Sequence, residues 1–147
     1  MCNEPPALSA DDIKELVSQR LEDYKGKSLL ERVALFMGKA QLLEMGLKSI
    51  LNRDYDIPME DMERWTLGRT KNELERHGIR PDFIAYLASV VRHRNHIAHD
   101  LLADHALMQS LANFSGRHVE GDLFRATYEI EQIIILYDWC EEHNGWT

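Results

Sequence analysis

Residues 28–50, SLLERVALFMGKAQLLEMGLKSI, decide the fold class of this chain. Ser28 and Glu31 form the pattern of a capping box, which indicates where a helix begins. Behind them, apolar residues recur in alternating steps of four and three for about six turns, the period of an amphipathic α-helix. These residues are Leu29, Val33, Phe36, Ala40, Leu43, Leu47 and Ile50. The stretch therefore predicts one long helix with a face in a bundle core, weakened slightly by Gly38 and Gly46.

Helical patterns on both sides of this stretch predict the remaining architecture. Residues 52–59 are predicted as a connection, residues 112–121 as a loop or a short hairpin, and residues 1–8 as a flexible tail. The chain is thus expected to be all-α, a four- to five-helix up-and-down bundle forming one domain over residues 9–147. The other helices are expected from the capping box at Ser9 to Lys25–Lys27, from about Glu60 to His77 with Gly78 closing it, from Pro81 onward, and from about Asp122 to Glu142.

The composition is that of an ordinary globular domain. The chain has 147 residues, of which 44% are hydrophobic and 29% charged, enough to bury one core. It has neither an apolar run of about 18 residues nor a signal-peptide pattern at its start, so a cytoplasmic protein without a membrane span is expected. Of its two cysteines, Cys140 lies on an apolar helical stripe and is interpreted as a core residue.

The net charge of −8 restricts the partners that this chain can bind. Proteins that bind nucleic acids usually carry a basic surface, because lysine and arginine release counterions from the phosphates. The overall electrostatic field of an acidic chain does not attract nucleic acid. If it binds RNA, a local basic pocket has to supply the attraction, and the cluster from Arg92 to His99 is the candidate.

One position interrupts the apolar stripe of the fourth helix. The stripe occupies positions 83, 87, 90, 94, 97 and 101, and the only residue in it that is not apolar is Arg94. An arginine on a core-facing stripe is costly unless it is paired or faces a cavity or an interface. One interpretation is structural, with Glu44 or Asp100 as the partner or the side chain reaching outward from the helix edge. The other is a functional arginine.

The residues around Arg94 favour the functional interpretation. The segment Arg94-Asn95-His96-Ile97-Ala98-His99 has an arginine, four intervening residues and a histidine, late in a bundle helix. This pattern resembles the signature of the HEPN family. The long second helix and a Thr66-Leu67-Gly68 segment at the third helix extend the resemblance over about residues 28–142.

The resemblance implies a metal-independent endoribonuclease, of the toxin or defence type, whose site is shared across a homodimer. Arg94 would bind the scissile phosphate, His99 would transfer a proton as the 2′-hydroxyl attacks, and Asn95 would orient the site. Arg92 and His96 would add contacts to RNA. These residue types suit the chemistry, because histidine titrates near neutral pH and arginine offers a charged fork to phosphate oxygens. Neither a cofactor nor a metal is expected.

The resemblance also suggests partners and alternatives. A neutralising antitoxin or a nucleotidyltransferase is a candidate partner, although Leu101 stands where some toxin members carry the tyrosine that such a transferase modifies. A second hypothesis is a HEPN module without catalysis that binds a nucleotide, an RNA or a protein. A third is a structural helical adaptor in which Arg94 is paired internally.

Helix geometry imposes a condition on the catalytic hypothesis. Five residues of a continuous α-helix turn about 500°, which leaves Arg94 and His99 about 140° apart. Either the helix ends near Ala98–His99, or the site is completed across a dimer axis. A metal site at His93, His96 and His99 is disfavoured, because the first and third would be about 9 Å apart along the axis.

Overall fold

A computed structural model of the chain describes residues 8–101 and 117–147. Within these ranges the chain is entirely helical and forms no strand, which confirms the predicted all-α class. None of the helices in these ranges is long and apolar enough to cross a bilayer. The elements are α1 (Ala10–Leu21), a 3₁₀ turn (Glu22–Tyr24), α2 (Leu29–Tyr55), α3 (Met59–Met62), α4 (Leu67–Arg76), α5 (Pro81–His96), a π-helical turn (Ile97–Leu101) and α6 (Arg117–His143).

Side chains at the predicted caps fix where α1 and α2 begin. The hydroxyl groups of Ser9 and Ser28 accept hydrogen bonds from the backbone N–H groups of Asp12 and Glu31, and both capping boxes are complete. At its other end, α2 runs past Ile50 into the predicted connection and ends at Tyr55. Asp56, the residue that follows, adopts a left-handed conformation with φ 56°. The predicted apolar stripe of α2 is buried from Val33 to Ile50.

The core forms where α6 packs against α1, α2 and α5, and α4 packs against α5. Phe36 of α2 and Phe83 of α5 are fully buried in it, and Cys140 of α6 is buried as predicted. Burial raises the pKa of the Cys140 thiol to about 11, as expected for an inert core cysteine. Leu8, assigned by the sequence to the flexible tail, packs against the core, while residues 1–7 lie outside the described part.

The predicted third helix, Glu60–His77, is wrong because the segment forms two helices. The single turn of α3 ends at Met62, and α4 begins at Leu67. The Thr66 hydroxyl accepts a hydrogen bond from the Arg69 backbone N–H at 3.1 Å, and the Trp65 carbonyl accepts one from Lys48 Nζ at 2.9 Å. Threonine stabilises a helix start more than a helix interior, so the N-cap at Thr66 outweighs continuity.

Two further predicted boundaries differ from the structure. The first α-helix ends at Leu21, and a 3₁₀ turn follows before Gly26 takes its left-handed conformation with φ 79°. The loop or hairpin predicted over residues 112–121 is wrong for residues 117–121, which belong to α6; residues 112–116 lie outside the described part. An ion pair between Glu120 of α6 and Arg32 of α2, at 2.6 Å, stabilises the earlier start of α6.

Candidate functional site

Arg94 lines an open groove between α2, α4 and α5. The groove has a volume of about 500 Å³, and Arg94 is its only cation among the described lining residues. The side chain is half-buried, since it continues the apolar stripe of α5 and reaches outward at the edge of the core. The rest of the lining consists of Ala34, Met37, Gly38, Ala40, Gln41, Glu44 and Leu67.

The guanidinium group of Arg94 has no acidic partner among the described side chains. Its one polar contact is a weak hydrogen bond of 3.5 Å from Nη1 to the Asn95 side-chain oxygen. Glu44 lines the same groove, but its carboxylate pairs with Lys48 at 3.2 Å. The Arg94–Glu44 pair of the structural interpretation is therefore not formed; the side chain of Asp100, the other predicted partner, lies outside the described part. Apart from the contact with Asn95, the donors of Arg94 have no partner among the described residues.

The α-helical hydrogen bonding of α5 ends at His96, directly after the arginine–asparagine pair. The chain continues as a π-helical turn, Ile97–Leu101, that contains His99. In a π-helix the hydrogen bonds span five residues rather than four, so the rotation from Arg94 to His99 departs from that of a continuous α-helix. The continuous α-helix that would have separated Arg94 from His99 by about 140° is thus absent.

Asn95 and His99 are exposed, in contrast to Arg94. No hydrogen bond or ion pair joins the His99 imidazole to another described side chain, and His99 is not among the lining residues of the Arg94 groove. One copy of the chain therefore brings Arg94 to the groove, with the Asn95 side chain in contact with it, and leaves both Asn95 and His99 outside the groove lining.

Acidic side chains of α6 engage two of the histidines in the predicted basic cluster. His93 Nε2 lies 3.0 Å from Glu129, which also accepts a hydrogen bond from Ser89 at 2.5 Å. His96 Nε2 lies 3.1 Å from Asp122. Arg92, the other predicted RNA-binding residue, is exposed. These two carboxylates offset part of the positive charge that the sequence suggests for the cluster.

Sequence reasoning missed these partners on α6, although a signal for them exists. Asp122 and Glu129 are seven residues apart, which places them on one face of a helix two turns apart. Ser89, His93 and His96 share a face of α5 by their steps of four and three. Matching these two polar faces would have predicted the pairs. The groove lining from α2 carries no such signal, because all of its residues except Ala40 lie outside the buried stripe.

The described part of the chain contains no set of three histidine, cysteine, aspartate or glutamate side chains close enough to hold a metal ion. Within those ranges, the pairs formed by His93 and His96 each bring one carboxylate to one imidazole.

Comparisons of this chain with protein-family models, with curated proteins and with solved structures found no match.

Proposed function

We propose that this protein is a metal-independent endoribonuclease of the HEPN type, with Arg94, Asn95 and His99 as its catalytic residues and a site shared by two copies of the chain. The observation that carries the proposal is the half-buried Arg94, which lines an open groove and has no acidic partner among the described side chains. A half-buried arginine without a carboxylate partner keeps its charge and its donors available, so the site is suited to an anionic ligand such as a phosphate.

The proposed reaction is an internal transfer at the RNA phosphate. The 2′-oxygen attacks phosphorus while His99 accepts its proton, the bond to the 5′-oxygen breaks, and that oxygen takes up a proton. The products are a 2′,3′-cyclic phosphate and a free 5′-hydroxyl. The Arg94 fork stabilises the charge that develops on the phosphate oxygens, and Asn95 orients the guanidinium group through their contact.

The absence of His99 from the described lining of the groove is the reason for proposing a shared site. In one copy, Arg94 lines the groove and His99 is exposed outside its lining. A second copy related by a twofold axis could bring its own His99 to the first copy's groove, because a twofold interface exchanges the same residues in both directions. The dimer would then contain two equivalent sites.

Local charge decides how RNA would be held. The chain carries −8 overall, and His93 and His96 are already engaged by Glu129 and Asp122. Arg92, which is exposed, is therefore a stronger candidate for backbone contacts than His96. The proposal includes a cytoplasmic location, and an antitoxin that covers the Arg94 groove would neutralise the enzyme.

The experiment that tests this proposal is incubation of the purified protein with total cellular RNA in EDTA. We expect the wild type to cleave, and we expect Arg94→Ala and His99→Ala to lose about 10²-fold or more of the rate, because each removes a group that acts on the reacting atoms. Arg76→Ala is the matched control, since Arg76 is an exposed arginine paired only with its helix neighbour Glu73.

The alternative is a HEPN module that binds RNA or a nucleotide without cutting it. The observation that favours it is that a single copy does not bring His99 to the Arg94 groove. RNA binding that depends on Arg94, without cleavage by a folded dimer, would replace the enzyme hypothesis with this one. Cleavage that is unchanged in both variants would contradict both.

A further inference from the structure

A second pocket opens at the opposite side of α2 from the Arg94 groove. It lies where the loop between α1 and α2 approaches α6 and has a volume of about 370 Å³, within the range of small-molecule sites. Two residues of α2 turn about 200°, so Arg32, which lines this pocket, and Ala34, which lines the groove, face opposite ways. We call it the α1–α2 pocket; its lining is Leu21, Glu22, Tyr24, Lys25, Gly26, Lys27, Arg32, Phe124 and Thr127.

Two buried polar atoms without a hydrogen-bond partner belong to residues that line this pocket. They are Arg32 Nε and the Thr127 hydroxyl oxygen, and no other described side chain has such an atom. Thr127 is 4% exposed. Arg32 uses one terminal nitrogen for both oxygens of Glu120, which leaves Nε unpaired. Buried polar atoms are nearly always bonded, so two orphans at one pocket indicate a group that binds there.

The remaining lining supplies positive charge and an aromatic surface. Lys27 is exposed at the pocket and has no ion pair among the described side chains, whereas Lys25 is paired with Glu22. Phe124 is 57% exposed, although a phenyl ring at the surface loses the stabilisation that burial gives. An exposed aromatic ring beside cationic groups suits a flat ring that carries a negative charge.

We propose that the α1–α2 pocket binds a small molecule composed of a planar ring and an anionic group, either a phosphate or a carboxylate. Arg32 Nε and the Thr127 hydroxyl oxygen have almost no accessible surface in this structure, so binding includes a small shift of the pocket lining that opens both atoms to the anionic group. That group then accepts hydrogen bonds from Arg32 and Thr127 and lies near Lys27, while the ring packs on Phe124 and Leu21. This site uses none of the residues of the proposed ribonuclease centre, so each proposal can be tested independently of the other.

The test is a chemical-shift titration of the full chain with phenyl phosphate, benzoate and inorganic phosphate. We expect phenyl phosphate or benzoate to saturate with a dissociation constant on the order of 1 mM, as few-atom ligands do. Inorganic phosphate should bind roughly tenfold more weakly, since it lacks the ring. The comparison of the first two probes identifies the anionic group. Absence of saturable shifts with both at tens of millimolar would overturn the proposal.

Thr127→Val is the decisive variant because it keeps the shape of the side chain and removes the orphan hydroxyl. We expect it to weaken binding of the better probe about tenfold and to leave the melting temperature unchanged or raised. Lys27→Gln should weaken binding as well. Thr70→Val is the matched control: Thr70 is buried, but its hydroxyl donates to the Thr66 carbonyl at 2.9 Å. That variant should melt earlier and bind the probe normally.

Arg94→Ala separates this site from the groove, and it should retain the wild-type affinity for the probe. Affinity that is unchanged in Thr127→Val and Lys27→Gln, or lost in Arg94→Ala, would place the ligand elsewhere and overturn the assignment of the α1–α2 pocket.

Discussion

Glu131 is a buried carboxylate that joins three elements of the bundle. Its side chain is fully buried on α6 and forms an ion pair with Lys39 of α2, accepts a hydrogen bond of 2.7 Å from the Tyr24 hydroxyl, and lies 3.4 Å from Arg20 of α1. Burial alone would raise the pKa of Glu131, but hydrogen bonds from Lys39 and Tyr24 and the charge of Lys39 lower it below its usual value. The residue is therefore ionised in the folded protein and stabilises the α1–α2–α6 contact.

Glu131→Gln should lower the free energy of unfolding near pH 7 by about 2 kcal/mol, because Lys39 and Tyr24 lose a charged hydrogen-bond acceptor while the partly exposed Lys39 and Arg20 remain hydrated. A carboxyl group with a lowered folded-state pKa stabilises the fold above its unfolded pKa, 4.5 here, and that stabilisation is lost as the pH falls below it. Urea unfolding at several pH values should thus show the difference from wild type shrinking below about pH 4.5.

Glu142→Gln is the matched control for this prediction, since Glu142 is exposed near the end of the same helix. It should change the stability by less than about 0.5 kcal/mol. Equal stability of Glu131→Gln and the wild type at pH 7 would show that the buried cluster does not stabilise the fold.

Single residues differ in how far the sequence alone predicts them. Arg94 stands out because it breaks an apolar stripe, and the structure places it half-buried in the lining of a groove; its catalytic role stays a prediction. Glu131 gives no such signal, because it follows Ile130 at the flank of the α6 stripe. Its partners Tyr24 and Lys39 are about a hundred residues away in the chain. Such contacts are fixed by tertiary packing, which periodicity does not reveal.

At the scale of the element, α2 contains two glycines in different surroundings. A Cβ atom added at Gly46 would lie 2.7 Å from the Tyr137 hydroxyl oxygen, whereas one added at Gly38 would have no atom within 4 Å. Gly46 therefore leaves room for the end of the Tyr137 side chain of α6, and Gly38 is not required by any neighbour within the described part of the chain.

Gly46→Ala and Gly38→Ala should consequently change the stability in opposite directions. Gly46→Ala is expected to destabilise the fold by about 1–3 kcal/mol, because Tyr137 must shift. Gly38→Ala is expected to stabilise it by about 0.5–1 kcal/mol, because alanine loses less backbone entropy in a helix. Thermal melts of both variants measure this. Adding Tyr137→Phe to Gly46→Ala should recover part of the loss, and a stabilising Gly46→Ala would contradict the packing described.

Periodicity predicted most elements, because an apolar stripe in a bundle has to face the core. Periodicity did not predict the helix boundaries that are determined by local hydrogen bonds. The cap at Thr66 divides the predicted third helix, and the π-helical turn after His96 changes the hydrogen-bond span without changing the residue types expected there. Periodicity also missed the helical state of residues 117–121. An ion pair between Glu120 and Arg32, which are far apart in the sequence, supports that state.

At the scale of the whole molecule, α2 separates the two proposed sites. The Arg94 groove lies on its side facing α4 and α5, and the α1–α2 pocket lies on its side facing α1 and α6. Between them α2 exposes the apolar side chains of Leu42, at 67%, and Met45, at 56%. This surface adjoins the groove through Gly38 and Gln41, so a second copy docked there would lie next to Arg94.

The central claim, that Arg94 and His99 act together across two copies, is tested most directly with a mixed dimer. Arg94→Ala and His99→Ala chains carrying different tags are produced together, and the mixed dimer is purified and assayed on RNA in EDTA. A twofold dimer with shared sites retains one intact site, so about half of the wild-type activity is expected, although each variant alone is inactive. An inactive mixed dimer beside an active wild type would show that each site lies within one chain and would contradict the shared site.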